Sequence, residues 1–280
     1  MNAPTPQSHE PTPVLDPIKV ALSTSSVYPL GPDHAFSMAR DLGYDGVEVM
    51  VTGNSLSRDG DQLHALQQRF GMPVAAIHAP TLLLTQQVWG GAWTKIQRSA
   101  LLAHEMGCDV VVVHPPFRWQ GKYASGFEEG VRRANETYGV RIAVENMYPW
   151  RTRGQKAQMY LPHWDPVGMD YQYVTWDFSH AAIDRVDSLS AVQQLGERLT
   201  HVHLCDGTDN GTDQHLPPGY GTQPVAASLQ FLAASGFTGS VAAEVGTRRW
   251  RKVPGEIERV LGEALEFART NLARPGASQA

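Results

Sequence analysis

The chain has 280 residues, 42% hydrophobic and 18% charged, with a formal net charge of −5. That length supports one large core, and the acidic balance disfavours nucleic acid as a partner of the fold as a whole. Two distant cysteines, Cys108 and Cys205, have no zinc-ribbon or redox spacing, and no apolar run or signal-peptide core marks a membrane or secretory protein, so a cytoplasmic chain with reduced thiols is expected.

Residues 1–16 place Pro4, Pro6, Pro11 and Pro13 among polar residues and read as a disordered leader. Residues 274–280 read as an equally loose tail, leaving 17–273 as the folded domain. From Ile18 onward, short apolar runs alternate with longer amphipathic stretches. Strands are expected at 18–22, 46–51, 74–78, 110–114, 140–145, 173–177, 199–204 and 240–244. Helices are expected at 33–42, 59–70, 93–106, 127–138, 190–197, 224–234 and 255–271, several stopped by a glycine such as Gly43, Gly71, Gly107 or Gly139. This rhythm predicts an α/β fold, a single-domain (β/α)8 TIM barrel. Runs such as Val110–Val113 suit strands buried on both faces. A doubly wound sheet is the alternative, but no Gly-x-Gly-x-x-Gly turn follows the first strand. The fifth unit is irregular: 147–170 is a long loop with Trp150, Tyr160, Trp164 and several prolines, which reads as a lid with Trp150 or Trp164 over the substrate.

In a parallel barrel all strands end on one face, where active sites form. The expected strand ends carry His78, His114, Glu145, Asp177 with His180 three residues on, His203, and Glu244. The loop after His203 adds Asp213 and His215. Each residue has a bland explanation as a satisfied histidine or a helix cap. Together they are nine ligand-type side chains at one rim, and such a group is unfavourable without cations to neutralise it. His201 lies one layer deeper than His203 and reads as a supporting or core residue.

These motifs resemble the xylose isomerase-like TIM-barrel superfamily, which includes sugar and sugar-phosphate isomerases and epimerases and the metal-dependent AP endonucleases. The resemblance runs from about Ile18 to Asn271. It is carried by Ala76-Ile-His78-Ala-Pro, Val113-His114-Pro, Val144-Glu145-Asn, Trp176-Asp177-Phe-Ser-His180, Val202-His203-Leu-Cys-Asp206, Asp213-Gln-His215 and Ala243-Glu244. It implies one divalent ion on Glu145, Asp177, His203 and Glu244 in the epimerase branch. In the endonuclease branch His78, His114, His180, Asp213 and His215 join them to hold three zinc ions. Cys205 stands where the endonucleases carry Asn, and Gly43-Tyr-Asp-Gly46-Val-Glu48 reads like the sugar isomerase branch. The stretch after the third strand, Thr81-Leu-Leu-Leu-Thr, is apolar rather than DNA-gripping.

The expectation is therefore a divalent-metal-dependent sugar or sugar-phosphate isomerase or epimerase, working through a metal-stabilised enediolate. Glu145 and Glu244 are the expected proton-transfer pair, and His180 orients a substrate oxygen. The cofactor is Mn, Co, Mg or Zn, one to three ions. Trp150, Arg151, Arg153, Arg248 and Arg249, in loops of the same face, are candidates for substrate or phosphate contacts, against the plainer reading of a solvated basic surface. The partner is a small sugar or sugar phosphate, with no membrane, and a homo-oligomer is compatible with the sequence. The alternatives are a zinc phosphodiesterase of the AP endonuclease type and a non-catalytic metal- or sugar-binding barrel.

Overall fold

The computed structural model describes residues 16–81, 87–152 and 155–274. The expected leader and tail fall outside these apart from Asp16 and Arg274, as does most of the apolar stretch after Thr81. The barrel strands are β1 (Val20–Ser23), β2 (Gly46–Met50), β3 (Val74–His78), β4 (Val110–Val113) and β5 (Arg141–Glu145). After a hairpin of β6 (Trp150–Thr152) and β7 (Gln155–Ala157), the barrel continues with β8 (Val174–Asp177), β9 (Leu199–Leu204) and β10 (Ser240–Ala243). The eight barrel strands close in the order β1-β10-β9-β8-β5-β4-β3-β2, and every pair among them is parallel. This is the expected TIM barrel.

The helices pack outside: α1 (Pro32–Leu42), α2 (Gly60–Phe70), α3 (Ala92–Met106), α4 (Gly121–Ser125), α5 (Phe127–Tyr138), α6 (Phe178–Asp184), α7 (Ser188–Leu195), α8 (Val225–Ala234) and α9 (Glu256–Asn271). Alternation along the strands divides the core in two. Val49, Ile77, Val111, Val113 and Val202 face the helices in the main apolar cluster, whereas Ala76, Val110, Val112 and Ala143 form a separate small cluster inside the barrel. These interior side chains are small. The remaining interior volume is taken by polar groups, including Glu48, His201 and His203, all fully buried.

Two features near β8 departed from expectation. Asp177 ends the strand and caps a helix at once, its Oδ1 accepting the His180 N–H at 2.7 Å, so α6 starts immediately. At seven residues α6 is too short to show a helical period. Asp187 likewise caps α7 through the Ser190 N–H at 2.7 Å, so that helix starts two residues earlier than its apolar pattern. No helix among the described residues is long and apolar enough to cross a membrane.

The glycine stops fell where expected, with Gly43, Gly71, Gly107 and Gly139 all in the left-handed region. At Gly139 the φ is 62° and a Cβ would meet nothing within 4 Å, so backbone strain is the sole cost of adding one. Gly139→Ala is expected to lower stability by about 1 kcal/mol, read from the urea midpoint with an unchanged m-value.

Candidate metal centre

Parallel strands deliver their last side chains to one face, and here those ends converge. His78 closes β3, His114 follows β4, Glu145 closes β5, Asp177 closes β8 and Glu244 follows β10. His203 is the fifth residue of β9, in register with Asp177 on one side and Ala242 on the other. All six side chains are buried. His180 enters from the first turn of α6. Asp213 and His215 come from the loop after β9, which one buried carboxylate folds back over the barrel. Asp206 accepts from the backbone N–H groups of Gly219 at 3.0 Å, Gly221 at 2.9 Å and Gln223 at 3.2 Å. A Cβ on Gly221 would lie 2.2 Å from Asp206 Oδ1, so that close approach requires glycine. His215 itself adopts a φ of 41°, uncommon for a non-glycine residue.

At the centre, His203 Nδ1 lies 3.0 Å from Glu145 Oε1, 2.9 Å from Glu244 Oε2 and 3.6 Å from Asp177 Oδ2. On one side, His78 Nε2 and His114 Nε2 approach Glu145 Oε2 at 3.3 and 2.8 Å. On the other, His180 Nε2 and His215 Nε2 approach Asp213 Oδ2 at 3.3 and 3.1 Å. Asp213 is the most solvent-facing member, its side chain 29% exposed.

Hydrogen-bond logic shows what this arrangement lacks. His78, His180 and His215 each place Nδ1 against a backbone carbonyl, of Ala79 at 3.2 Å, Asn146 at 2.8 Å and Glu244 at 2.9 Å respectively. A carbonyl only accepts, so each Nδ1 carries the hydrogen and each Nε2 is a lone pair in the neutral ring. Those Nε2 atoms face carboxylate oxygens, which also only accept. Glu145 Oε2 has no partner in hydrogen-bond geometry despite two imidazole nitrogens within 3.3 Å. His203 Nδ1, His180 Nε2 and His215 Nε2 do reach carboxylate oxygens in hydrogen-bond geometry, at 3.0, 3.3 and 3.1 Å, so each of these contacts needs an added proton on the ring or a cation between two acceptors. Sets such as His78/His114/Glu145 and His180/Asp213/His215 keep their ligand atoms within 4.8 Å of one another. Nitrogen and oxygen donors at this spacing fit a divalent cation.

The protonation balance carries the same information. Burial disfavours a charged His203 ring, yet Glu244, Glu48 and Glu145 hold it well above the ordinary value of 6.5. Burial is likewise outweighed at His180 by Asp177 and Asp213, and that ring is also held well above 6.5. Burial raises Glu145, but the neighbouring His203 and His114 hold it well below the carboxylate range. Glu244 falls to about 2, against the effect of burial, because of His203. Glu145 faces two rings unequally: burial keeps His114 below 6.5, whereas His78 is held above it despite its burial.

Above the cluster opens a cavity of about 350 Å³ whose walls include Met50, Phe117, Tyr148, Trp150 and Tyr160. Trp119 stacks on Phe117 with ring centroids 4.6 Å apart and extends the aromatic wall to the surface. Trp164 does not line this cavity: its Nε1–H donates to Asp184 Oδ2 at 2.7 Å, pinning the loop to α6. A second cavity of about 350 Å³ shares Met50 and Glu244 with the first and is walled by Tyr28 and Leu30. The cavity of about 480 Å³ lined by Lys19, Gly46, Val74 and Ser240 sits instead at the strand starts, on the opposite face. Arg248 and Arg249 are exposed, the latter over the Trp250 ring at 4.2 Å from its centroid, and neither lines the first two cavities. Arg151 contributes its backbone to β6, and Arg153 lies outside the described residues.

The family description "xylose isomerase-like TIM barrel" matches residues 36–271. The chain belongs to this family. An uncharacterised protein of Mycobacterium leprae is 44% identical over 277 residues, covering 92% of this chain and 99% of that one. Fructoselysine 3-epimerase of Escherichia coli O157:H7 is 23% identical over 252 residues, covering 82% and 91%. Among solved structures, the IolI protein with a bound zinc atom superposes with a TM-score of 0.65 at 17% identity, covering 91% of this chain and 98% of that one.

The pH dependence of this xylose isomerase-like barrel follows from the shifts. His203 and His180 are held above 6.5, so their protons stabilise the metal-free fold fully below pH 6.5 and cease to do so as pH rises through the elevated values. Glu145 is held below its ordinary 4.5, so its contribution is present above pH 4.5 and lost as pH falls through the depressed value. Metal-free protein should therefore be most stable between about pH 4.5 and 6.5. A saturating divalent cation should move that maximum upward and release protons at pH 7. Thermal midpoints across pH, and calorimetry in buffers of different ionisation enthalpy, check both.

Proposed function

We propose that this barrel is a divalent-metal-dependent sugar or sugar-phosphate isomerase or epimerase. The observation that carries the reading is the His203 Nδ1 atom, surrounded by Glu145, Glu244 and Asp177 oxygens with no hydrogen-bond donor among them. Glu145, Asp177, His203 and Glu244 would hold the ion, which is Mn, Co, Mg or Zn. When bound it supplies positive charge for the oxygens of an α-hydroxy-carbonyl and for the negative charge that develops as a carbon-bound proton leaves. The fructoselysine 3-epimerase relationship and the zinc of the IolI structure support the same reading.

The chain's own residues divide the remaining work. Glu145 and Glu244 lie on either side of His203 Nδ1, so a substrate carbon above that atom has a carboxylate on each face. One carboxylate removes the proton and the other returns it, to the neighbouring carbon or to the opposite face. His180 is held by Asn146 and Asp213 and presents its ring to the same cavity, where it orients a substrate oxygen. Trp150 in the wall would pack on the distal end of the substrate, whereas Arg248 and Arg249, which line neither cavity, are left as an exposed basic surface. The aromatic walls exclude water from the transfer.

Glu145→Gln and Glu244→Gln should each lower deuterium exchange from solvent into ketoses or ketose phosphates by at least about 100-fold, with the circular dichroism spectrum unchanged. Full exchange in both variants would remove these residues from the reaction.

A second reading has its own observation. The outer sets, His78 and His114 at Glu145 and His180 and His215 at Asp213, extend the donor group to what a trinuclear zinc phosphodiesterase of the AP endonuclease type requires. Elemental analysis and an abasic-site duplex separate the two. The expected result is one tightly held ion per chain and no incision, whereas three zinc ions with efficient incision would establish the phosphodiesterase.

A further inference from the structure

Beneath the cavity, inside the barrel, runs a chain of polar groups that the proposed reaction does not touch. Ser240 Oγ, at the start of β10, lies 2.7 Å from His201 Nδ1. His201 Nε2 lies 2.9 Å from Glu48 Oε2, and the same oxygen lies 3.2 Å from His203 Nε2. Glu48, His201 and His203 are all 0% exposed, and the carboxylate meets rings 153 and 155 residues away in the chain. Burying a carboxylate this deep is unfavourable unless its partners are specific.

The donors in this chain are determined. A carboxylate donates nothing, so both rings present Nε2–H to Glu48. His201 is then left with an Nδ1 lone pair, which accepts the Ser240 hydroxyl hydrogen. In the neutral ring, the state a cation requires, His203 is left with an Nδ1 lone pair aimed at the oxygens of Glu145, Glu244 and Asp177. His203 is therefore reversed relative to His78, His180 and His215, whose Nδ1–H groups are spent on carbonyls and whose Nε2 atoms face the site. Where those rings meet a backbone carbonyl, the inner nitrogen of His203 meets Glu48. The second carboxylate oxygen, Glu48 Oε1, has no hydrogen-bond partner, so the charge is focused on the two imidazole N–H groups.

We propose that Glu48 is a positioning residue for the cation site: it fixes His203 as the Nε2–H tautomer and so turns the Nδ1 lone pair toward the ion, while His201 and Ser240 hold Glu48 in place. This rests on the metal reading of the site given above. A carboxylate brings full negative charge to both N–H groups and acceptors only, whereas an amide is neutral and would bury an NH2 group at the unpartnered Oε1 position. In Glu48→Gln the amide oxygen can still accept from both rings, but the amide is neutral and its NH2 falls in the buried position where Oε1 has no hydrogen-bond partner, so the Nε2–H tautomer loses its charge support and the Nδ1 lone pair binds the ion more weakly. A residue that merely fills the core would show no such dependence, since Gln has nearly the same volume and shape as Glu.

The test uses the full chain with ¹⁵N-labelled imidazoles. In zinc-loaded wild-type protein, His203 should show a hydrogen on Nε2 and a metal-shifted Nδ1, and His201 a hydrogen on Nε2. Zinc affinity, measured by competition with a chromophoric chelator, should fall by about 10- to 100-fold in Glu48→Gln. Ser240→Ala, at the far end of the chain, should produce a smaller fall. Zinc affinity in Glu48→Gln within twofold of wild type would overturn the proposal. So would a zinc-loaded wild-type spectrum with the His203 hydrogen on Nδ1 and not on Nε2, and that spectrum decides the matter even if Glu48→Gln fails to fold. A wild-type chain that takes up no zinc or other divalent ion would sink the metal reading along with it, whereas tight wild-type binding with an insensitive Glu48→Gln sinks this inference alone.

Discussion

Four carboxylates and five imidazoles share the interior and mouth of one barrel: Glu48, Glu145, Asp177 and Glu244 with His78, His114, His180, His201 and His203, all buried. Charges removed from water in this way must neutralise one another or recruit something that does. The observed geometry is mutual but incomplete. Carboxylates are pulled down by imidazoles, and imidazoles are raised by carboxylates. Several ring nitrogens nevertheless face only acceptors. Protons satisfy that set at low pH. In the proposed reading a divalent cation would satisfy it at neutral pH, taking the place of protons on nitrogens that otherwise contact carboxylates.

The fold supplies what this constraint needs. A closed barrel has no sheet edge, so strand positions are set by neighbours on both sides, and the ends of β5, β8, β9 and β10 are held as a rigid frame. Small interior residues, Ala76, Ala143 and Ala242, leave space that Glu48 and the two β9 histidines occupy. Asp177 and Asn146 lock two strand ends together, with Asn146 accepting the Asp177 N–H at 2.6 Å and donating to the Asp177 carbonyl at 2.9 Å. Asp206 is buried in the same face yet serves only backbone amides, which separates an organising carboxylate from those aimed into the cavity.

The strand-end residues were legible because two simple regularities point at them. Parallel strands all finish on one face, and a strand that ends in His, Glu or Asp breaks its own apolar pattern at its last position. Glu145, Asp177 and His203 were read that way, and the structure brings oxygens of the two carboxylates within 3.6 Å of His203 Nδ1. The pairing of Glu48 with His201 was not legible, because it crosses the barrel between strands that are neither sequential nor adjacent. Sequence suggested the first as a family feature and the second as a deeper residue without connecting them. The hairpin within the long loop, and the turning of Trp164 toward Asp184 rather than the cavity, depend on tertiary contacts that local propensity does not encode. By contrast Trp150 stands in the wall as its position suggested.

The floor of the site accommodates more than one chemistry, so the walls weigh most in choosing among them. Phe117, Trp119, Trp150 and Tyr160 form a connected aromatic surface on one side of the cavity, and Trp119 is half exposed with no covering element among the described residues. Exposed indoles at a polar cavity rim are unfavourable in the free protein and become favourable when an apolar face packs on them. In the proposed reading the C–H face of a sugar ring would offer such a surface while its hydroxyls would meet the carboxylates below. A duplex makes the opposite demand, a broad positive face matched to phosphates. Here the longest run of positive charge is the short stretch Arg248-Arg249-Trp250-Arg251-Lys252, within a chain of net charge −5. Arg249 is already engaged over Trp250. A cavity of about 350 Å³ between these walls is of a size for one small molecule, which supports the proposed small carbohydrate over a polyanion.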